Sequence, residues 1–189
     1  MVAVNSFMVP LGTPAPHFAL PALDGKIIRP TGGAEDRPLL VMFLSNHCPY
    51  VRHIETALGA LLAEYSDRDL VAVAISSNNI DSHPDDAPAG LSEQVSRAGF
   101  TFPYLLDETQ DVAKAYRAAC TPDFFLYDAQ HRLAYRGEFD ESRPKNEVPV
   151  TGGALRAALD HVLAGKPVPE PQVPSLGCNI KWKPGNEPS

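Results

Sequence analysis

The stretch LLVMFLSNHCPYV, residues 39–51, decides the fold of this chain. Its first six residues are apolar, and such an uninterrupted run of strand length is typical of a central strand covered on both faces. From Val51 to Tyr65, apolar residues recur at spacings of three and four, which predicts an amphipathic helix. The strand therefore passes into the helix through residues 45–49, and Cys48 stands at that junction.

Further strands and helices alternate on either side of this segment. The pair Asp24-Gly25 is a two-residue turn signal and predicts an N-terminal β-hairpin extension. The early strand-helix-strand order implies a parallel core, to which a late hairpin adds antiparallel strands. We therefore predict an α/β fold with a mixed central sheet and helices on both faces. The remaining predicted elements are strands over 70–75 and 104–106, helices over 91–99, 112–119 and 152–164, and hairpin strands over 124–127 and 133–136.

The end of the chain is rich in proline. Six of the 19 prolines fall after residue 165, and this density predicts an extended C-terminal tail over residues 166–189 that follows one domain over residues 1–165. The six are Pro167, Pro169, Pro171, Pro174, Pro184 and Pro188.

Charge and composition exclude several classes of protein. The 189 residues carry 23 acidic against 16 basic side chains, a net charge of -7, which argues against nucleic acid and membranes as partners. The segment Met1 to Pro10 lacks the features of a signal peptide, and no apolar run has the length of a membrane span, so we expect a cytoplasmic protein. Three cysteines are too few for a disulfide scaffold, which favours a chemical role for cysteine.

Cys48 is the best candidate for that role. Pro49 suits the first position of a helix, which makes Cys48 the N-cap. Unpaired N–H groups and the positive end of the helix dipole stabilise a thiolate there, and His47 and Arg52 add positive charge, so we expect a lowered pKa for Cys48. The alternative is a buried, unreactive cysteine.

We expect no metal ion and no cofactor. His47, Cys48 and His53 lie close together, but one thiol and two histidines around a helix start lack the paired spacing of a structural zinc site. The chain also lacks a dinucleotide-binding glycine motif, a phosphate loop and a G-x-S-x-G motif.

Four segments resemble a known superfamily. Residues 40–51 resemble the active-site segment of the thioredoxin superfamily, and residues 12–20, GTPAPHFAL, resemble the entry segment of its alkyl hydroperoxide reductase and thiol-specific antioxidant branch. Thr121-Pro122 resembles the cis-proline loop of that fold, and residues 177–183 are similar to the tail of a peroxiredoxin-like subgroup. The resemblance implies a thioredoxin-like fold with Cys48 as the nucleophile. It also implies that His47, Pro49, Thr121 and Pro122 position the substrate.

The resemblance leaves the second cysteine open. Val51 stands where thioredoxins carry the second cysteine of their C-x-x-C motif, and also where peroxiredoxins carry their peroxidatic cysteine. The cis-proline loop of the fold packs against the active-site cysteine, which makes Cys120 the first candidate for a disulfide with Cys48. The alternative is that Cys120 is a small apolar residue that closes the preceding helix. Cys178 is the second candidate, on a tail that we expect either to fold back over the site or to reach another subunit, with Trp182 as an apolar anchor. The alternative is that Cys178 is a tail thiol that is merely packed down.

Three functions remain open at this point. Because Cys48 aligns with the thioredoxin nucleophile, the resemblance favours a thiol-disulfide oxidoreductase with an antioxidant role. A thiol-dependent peroxidase that reduces hydrogen peroxide or alkyl hydroperoxides is the second candidate, and a non-catalytic redox-sensing or binding module is the third. The expected partners are a disulfide-bearing protein or a peroxide, an external thiol reductant, and a second copy of the chain in a homodimer.

Overall fold

The computed structural model describes residues 3–31 and 37–187, so Pro188, the last of the predicted tail prolines, lies outside it. Ten strands, four α-helices and one short 3-10 helix, Pro84–Asp86, are present in those residues. The strands are β1 (Ala3–Asn5), β2 (Leu20–Pro21), β3 (Ile27–Ile28), β4 (Leu39–Phe43), β5 (Val71–Ser76), β6 (Tyr104–Leu106), β7 (Cys120–Thr121), β8 (Asp123–Tyr127), β9 (Leu133–Gly137) and β10 (Leu176–Asn179). The helices are α1 (Pro49–Ala63), α2 (Pro88–Ala98), α3 (Asp111–Tyr116) and α4 (Gly153–Leu163).

A five-stranded mixed sheet forms the centre of the molecule. Its strand order is β6-β5-β4-β8-β9; β4, β5 and β6 are parallel, whereas β8 and β9 run antiparallel to their neighbours. The parallel part comes from the predicted strand-helix-strand units and the antiparallel part from the predicted late hairpin. The early hairpin is present as β2 and β3.

Strand β4 is buried on both faces, as its continuous apolar run predicts. Successive side chains of a strand point to opposite faces, so Leu40 and Met42 pack in one core with α1, α2 and α4. Val41 and Phe43 pack in a second core with α3 and the N-terminal segment. The predicted mixed sheet with helices on both faces is therefore confirmed.

The predicted helix over 112–119 is too long at its end. Helix α3 spans Asp111–Tyr116, because Arg117 adopts a left-handed backbone with φ 54° and ends it. Cys120 therefore does not close a helix; it begins strand β7. The alternative role for Cys120 as a residue that closes the preceding helix is wrong for that reason.

A second, three-stranded sheet was not predicted. Its order is β1-β10-β7, with both pairs antiparallel, so the tail strand β10 lies between the N-terminal strand and the strand that precedes Pro122. Hydrogen bonds beyond the sheet hold the tail in place: Ser175 Oγ donates to the Pro122 carbonyl at 2.7 Å, and Ile180 N donates to the Ala119 carbonyl at 3.1 Å. Trp182 packs against the second core. The boundary between a domain and a tail at residue 165 stays a prediction.

Candidate active site

Cys48 lies at the junction of the central strand and the first helix. It is the N-cap of α1, with an extended backbone (φ -74°, ψ 121°), and Pro49 is the first helical residue, as predicted. Its side chain is completely buried, and its thiol donates a hydrogen bond to the Thr121 carbonyl at 3.0 Å. The Thr121-Pro122 peptide bond is cis, so the predicted cis-proline loop is present beside Cys48.

Cys178 completes this group. It pairs directly with Thr121 across strands β10 and β7, and residues opposite each other in an antiparallel pair project their side chains to the same face of the sheet. Its thiol is in hydrogen-bonding contact with the Cys48 sulfur. Neither Cys48 nor Cys178 is part of a disulfide bond in this structure.

Ionisation of Cys48 is favoured by its surroundings. The thiol of Cys178 is the strongest influence and lowers the pKa of Cys48 to about 6, although burial acts in the opposite direction. The hydroxyl of Thr121 and the backbone N–H groups of Val51 and Cys178 lower that pKa further. Thr121 Oγ1 is buried and has no other hydrogen-bond partner within the described residues, so it is free to donate to a thiolate.

The predicted source of the lowered pKa is partly wrong. The N–H of Val51 belongs to the first turn of α1, so the contribution of the helix start is confirmed. The side chains of His47 and Arg52, however, are engaged elsewhere: Arg52 Nε donates to the Asn46 carbonyl at 2.5 Å, and the His47 ring is held by a carboxylate. The Cys178 thiol takes the place that was assigned to these two cations.

We expect the ultraviolet absorbance of the Cys48 thiolate to titrate with a midpoint near pH 6. Burial and the neighbouring Cys48 sulfur raise the pKa of Cys178 and Cys120, so Cys48 is the first thiol to ionise. Cys178→Ala removes the strongest stabilising contact and is expected to move the midpoint upward. Cys120→Ala is the matched control and leaves the midpoint unchanged. An unchanged midpoint in Cys178→Ala would contradict this origin of the shift.

Cys120 is directed away from this group. It precedes Thr121 by one residue in the same strand, and consecutive strand residues point to opposite faces. Its thiol donates to the Pro122 carbonyl at 3.4 Å, and burial is the main cause that raises its pKa well above the ordinary range, with Asp123 and Cys48 adding to it. The structure thus brings Cys178, rather than Cys120, into thiol contact with Cys48.

Asp86 is a residue of the site that the sequence analysis missed. It is fully buried at the end of the 3-10 helix, and its carboxylate accepts hydrogen bonds from the turn that leads to Cys48. Asn46 N donates at 2.6 Å, Ser45 Oγ at 3.0 Å, and His47 Nδ1 lies 2.7 Å away. In the sequence, Asp86 is one of several polar residues in a loop over 76–90 that follows a predicted strand. Asp86 fixes the shape of the Cys48 turn.

We expect Asp86→Asn to lower the free energy of unfolding by about 2–3 kcal/mol at neutral pH. The side-chain NH2 group of asparagine is a hydrogen-bond donor and cannot accept the hydrogen bonds that the turn donates to the carboxylate. Hydrogen bonds from His47, Asn78 and Ser45 outweigh burial and lower the pKa of Asp86 below its ordinary value of 3.8. A depressed pKa in the folded state contributes stability above that ordinary value, and the contribution is lost as the pH falls through the folded-state value. Denaturant unfolding should therefore show that the difference in the free energy of unfolding between wild type and variant becomes smaller below about pH 4. A difference that does not change with pH would show that the negative charge of Asp86 is not the source of the stabilisation.

Two neighbouring depressions lie beside Cys178 and the cis-proline loop. One, with a volume of about 270 Å³, is lined by Pro49, Tyr50, Cys178 and residues 143–145. The other, a smaller cavity, lies below Pro122 and shares Tyr50 and Arg143 with the first. Of the residues predicted to position a substrate, Pro49 and Pro122 therefore line these depressions, Thr121 is buried behind β10, and His47 is bonded to Asp86.

The described residues contain neither a bilayer-spanning helix nor a metal-binding cluster. Among the helices in residues 3–31 and 37–187, none is both long and apolar enough to cross a lipid bilayer. Within the same two ranges, no group of three or more His, Cys, Asp or Glu side chains is arranged to hold a metal ion.

Comparisons with solved structures identify the fold. An uncharacterized conserved protein from Geobacillus kaustophilus is 49% identical with a TM-score of 0.93, and the match covers 98% of each chain. A hypothetical protein from Sinorhizobium meliloti is 48% identical with a TM-score of 0.92, covering 96% of this chain and 99% of the other. A thiol:disulfide interchange protein of the thioredoxin family from Chlorobium tepidum is 16% identical with a TM-score of 0.61, covering 80% and 97%. The predicted thioredoxin-like fold is therefore confirmed.

The family follows from the sequence itself. A comparison with curated proteins found no match. The sequence profile of the AhpC/TSA family, in contrast, matches residues 11–136 of the 189 residues. This range contains the entry segment, the Cys48 turn and the cis-proline loop. The chain belongs to the AhpC/TSA family.

Proposed function

We propose that this protein is a thiol-disulfide oxidoreductase in which Cys48 and Cys178 form the redox pair. The proposal rests on the contact between the thiols of Cys178 and Cys48. The pKa of Cys48 is lowered to about 6 there. A thiolate is the reactive form of cysteine, and a second thiol beside it supplies the resolving group that Val51 cannot provide. Solved structures that share the fold include a thiol:disulfide interchange protein.

The reaction balances over two exchanges. The Cys48 thiolate attacks one sulfur of a substrate disulfide, forms a mixed disulfide with it and releases the other sulfur as a thiolate. Cys178 then loses its proton to that thiolate and attacks the Cys48 sulfur, which forms the Cys48–Cys178 disulfide and releases the second substrate sulfur as a thiolate. This thiolate takes up one proton from water, so the substrate leaves as a dithiol. Because Cys48 is completely buried and Cys178 of β10 lies against it, we expect an external disulfide to reach it only after a local movement that includes β10.

Reduction of a peroxide is the second candidate, and the same burial favours it. A hydrogen peroxide molecule is far smaller than a protein disulfide, so it needs less movement of β10 to reach Cys48. The thiolate would attack one peroxide oxygen and become a sulfenic acid, and the O–O bond would break to release hydroxide or an alkoxide, which takes up a proton from water to give water or an alcohol. Condensation with Cys178 would then give the same disulfide and a second water. This reaction would supply the antioxidant role, and membership of the AhpC/TSA family is consistent with it.

Mass-spectrometric mapping after differential alkylation tests the redox pair. We expect a Cys48–Cys178 disulfide after treatment with an oxidised dithiol, and the same disulfide in Cys120→Ser. A Cys48–Cys120 disulfide would replace this pair with the other candidate. Absence of any disulfide, together with no turnover of insulin disulfides or hydrogen peroxide, would leave a non-catalytic sensing or binding module. The ratio of the two turnover rates decides between disulfide and peroxide as the oxidant.

A further inference from the structure

We propose that the external reductant attacks the sulfur of Cys178, and that it is a small thiol bearing a carboxylate. This inference rests on the proposed Cys48–Cys178 disulfide and specifies how that disulfide is opened. It assigns Cys178 as the point of entry for electrons and the groove beside it, here called the Cys178 groove, as the binding site. The Cys178 groove is lined by Ala3, Pro49, Tyr50, Arg143, Pro144, Lys145 and Cys178.

Access distinguishes the two sulfurs. Cys178 lines the Cys178 groove and retains 2% of its surface, whereas Cys48 is 0% exposed and lines neither depression at the site. Strand β10, which carries Cys178 into the lining of the groove, is paired on one side with β7 and on the other with β1. A thiol that approaches through the groove therefore meets Cys178 before Cys48.

The leaving group favours the same direction of attack. Thiol-disulfide exchange is faster when the departing thiolate is stabilised. Cys178 has no S–H to donate while it is bonded to the reductant, but the Thr121 hydroxyl and the backbone N–H groups of Val51 and Cys178 still stabilise the Cys48 thiolate. The reductant thiolate attacks the Cys178 sulfur, the S–S bond breaks, and Cys48 leaves as a thiolate. A second reductant thiolate attacks the sulfur of the bound reductant, which releases a reductant disulfide and the Cys178 thiolate. That thiolate takes up one proton, so two thiols are oxidised and two cysteines are reduced.

Charge in the groove indicates the class of thiol. The chain carries a net charge of -7, yet the charged side chains in the Cys178 groove are Arg143 and Lys145, both basic. Arg143 is paired with the carboxylate of Glu138, whereas the exposed ammonium of Lys145 has no ion pair recorded in residues 3–31 and 37–187. Lys145 is thus the cation available to a carboxylate. A volume of about 270 Å³ suits a small molecule near the lower end of the usual range of ligand sites.

Trapping identifies the attacked sulfur. The oxidised wild-type protein is mixed with a limiting amount of 3-mercaptopropionate, quenched with N-ethylmaleimide in denaturant and mapped by mass spectrometry. We expect mercaptopropionate on Cys178 and maleimide on Cys48. The reverse assignment would overturn the inference and leave the proposed function intact. A starting protein without the Cys48–Cys178 disulfide would instead overturn the proposed function.

A charge variant tests the class of reductant. Lys145→Gln is expected to slow reduction of the oxidised protein by 3-mercaptopropionate about fivefold at low ionic strength, and added salt should shrink this difference. Reduction by uncharged 2-mercaptoethanol should be unchanged in the same variant. Lys166→Gln, which removes an exposed lysine outside the groove, is the control and should match the wild type with both thiols. Equal rates of wild type and Lys145→Gln with the anionic thiol, or an equal slowing with both thiols, would overturn the choice of a carboxylate.

Discussion

Cys48→Ser is expected to lower kcat/KM for reduction of insulin disulfides by about a thousandfold or more. The substitution removes the nucleophilic sulfur but keeps a side chain of similar size at this position. A serine hydroxyl at the start of α1 does not ionise near neutral pH, so the groups that stabilise the Cys48 thiolate have no charge to act on. Consumption of hydrogen peroxide should fall to a similar extent. Initial rates with a dithiol as electron donor give both measurements.

A matched pair of serine variants separates chemistry from folding. Cys120→Ser changes a buried cysteine that is directed away from Cys48, so it should retain most of the activity; Cys178→Ser should stop turnover at a mixed disulfide on Cys48. Circular dichroism and thermal unfolding of all three variants establish that each is folded. Full activity in Cys48→Ser would mean that another group is the nucleophile, and the proposed mechanism would then be wrong.

The centre of the fold could be predicted because its signals are local. The apolar run of β4 is long enough to require burial on both faces, and the stripe that follows it specifies α1. Cys48 at the end of one element and Pro49 at the start of the next then mark the N-cap. Thr121-Pro122 could be assigned only through its resemblance to a known loop, since sequence alone does not fix a cis peptide bond.

The partner of Cys48 could not be predicted from such signals. Strand β10 is the four-residue segment LGCN, which is too short for an alternating pattern and lies in a proline-rich region. Its pairing with β1 and β7 joins the two ends of the chain, so no local spacing reveals it. Position in sequence favoured Cys120, which is next to the cis-proline loop; strand alternation reverses that choice, because it turns Cys120 away and brings Cys178 to the face of Thr121.

Asp86 was missed for a related reason. The loop over residues 76–90 contains several polar side chains, and sequence composition does not indicate which of them enters the interior. The 3-10 helix carries Asp86 beneath the Cys48 turn, where backbone N–H groups of Asn46 and His47 find no partner in a strand or helix and bond to its carboxylate instead. Buried N–H groups require acceptors, but the sequence does not show which N–H groups of the turn lack one until its three-dimensional path is known.

The approach of β10 to the active site depends on Gly177. A Cβ atom at this position would lie 2.1 Å from the Thr121 carbonyl oxygen and 3.1 Å from the Pro122 nitrogen, both of them backbone atoms that cannot turn aside. Any side chain at residue 177 therefore requires β10 and the cis-proline loop to move apart. Since Cys178 is the next residue, the same movement withdraws its thiol from the Cys48 sulfur.

Gly177→Ala is accordingly expected to slow formation of the Cys48–Cys178 disulfide about a hundredfold, because a displacement of about 1 Å costs this much in a reaction between positioned groups. Loss of the Cys178 thiol contact should also raise the pKa of Cys48, and at high pH, where Cys48 is ionised in both proteins, the opened strand pair should increase its rate of alkylation. Stopped-flow oxidation and alkylation as a function of pH measure these effects. Gly153→Ala is the matched control, since a Cβ there meets only the Thr151 hydroxyl at 3.4 Å. Wild-type rates in Gly177→Ala would show that close packing of β10 against the cis-proline loop is not what joins the two cysteines.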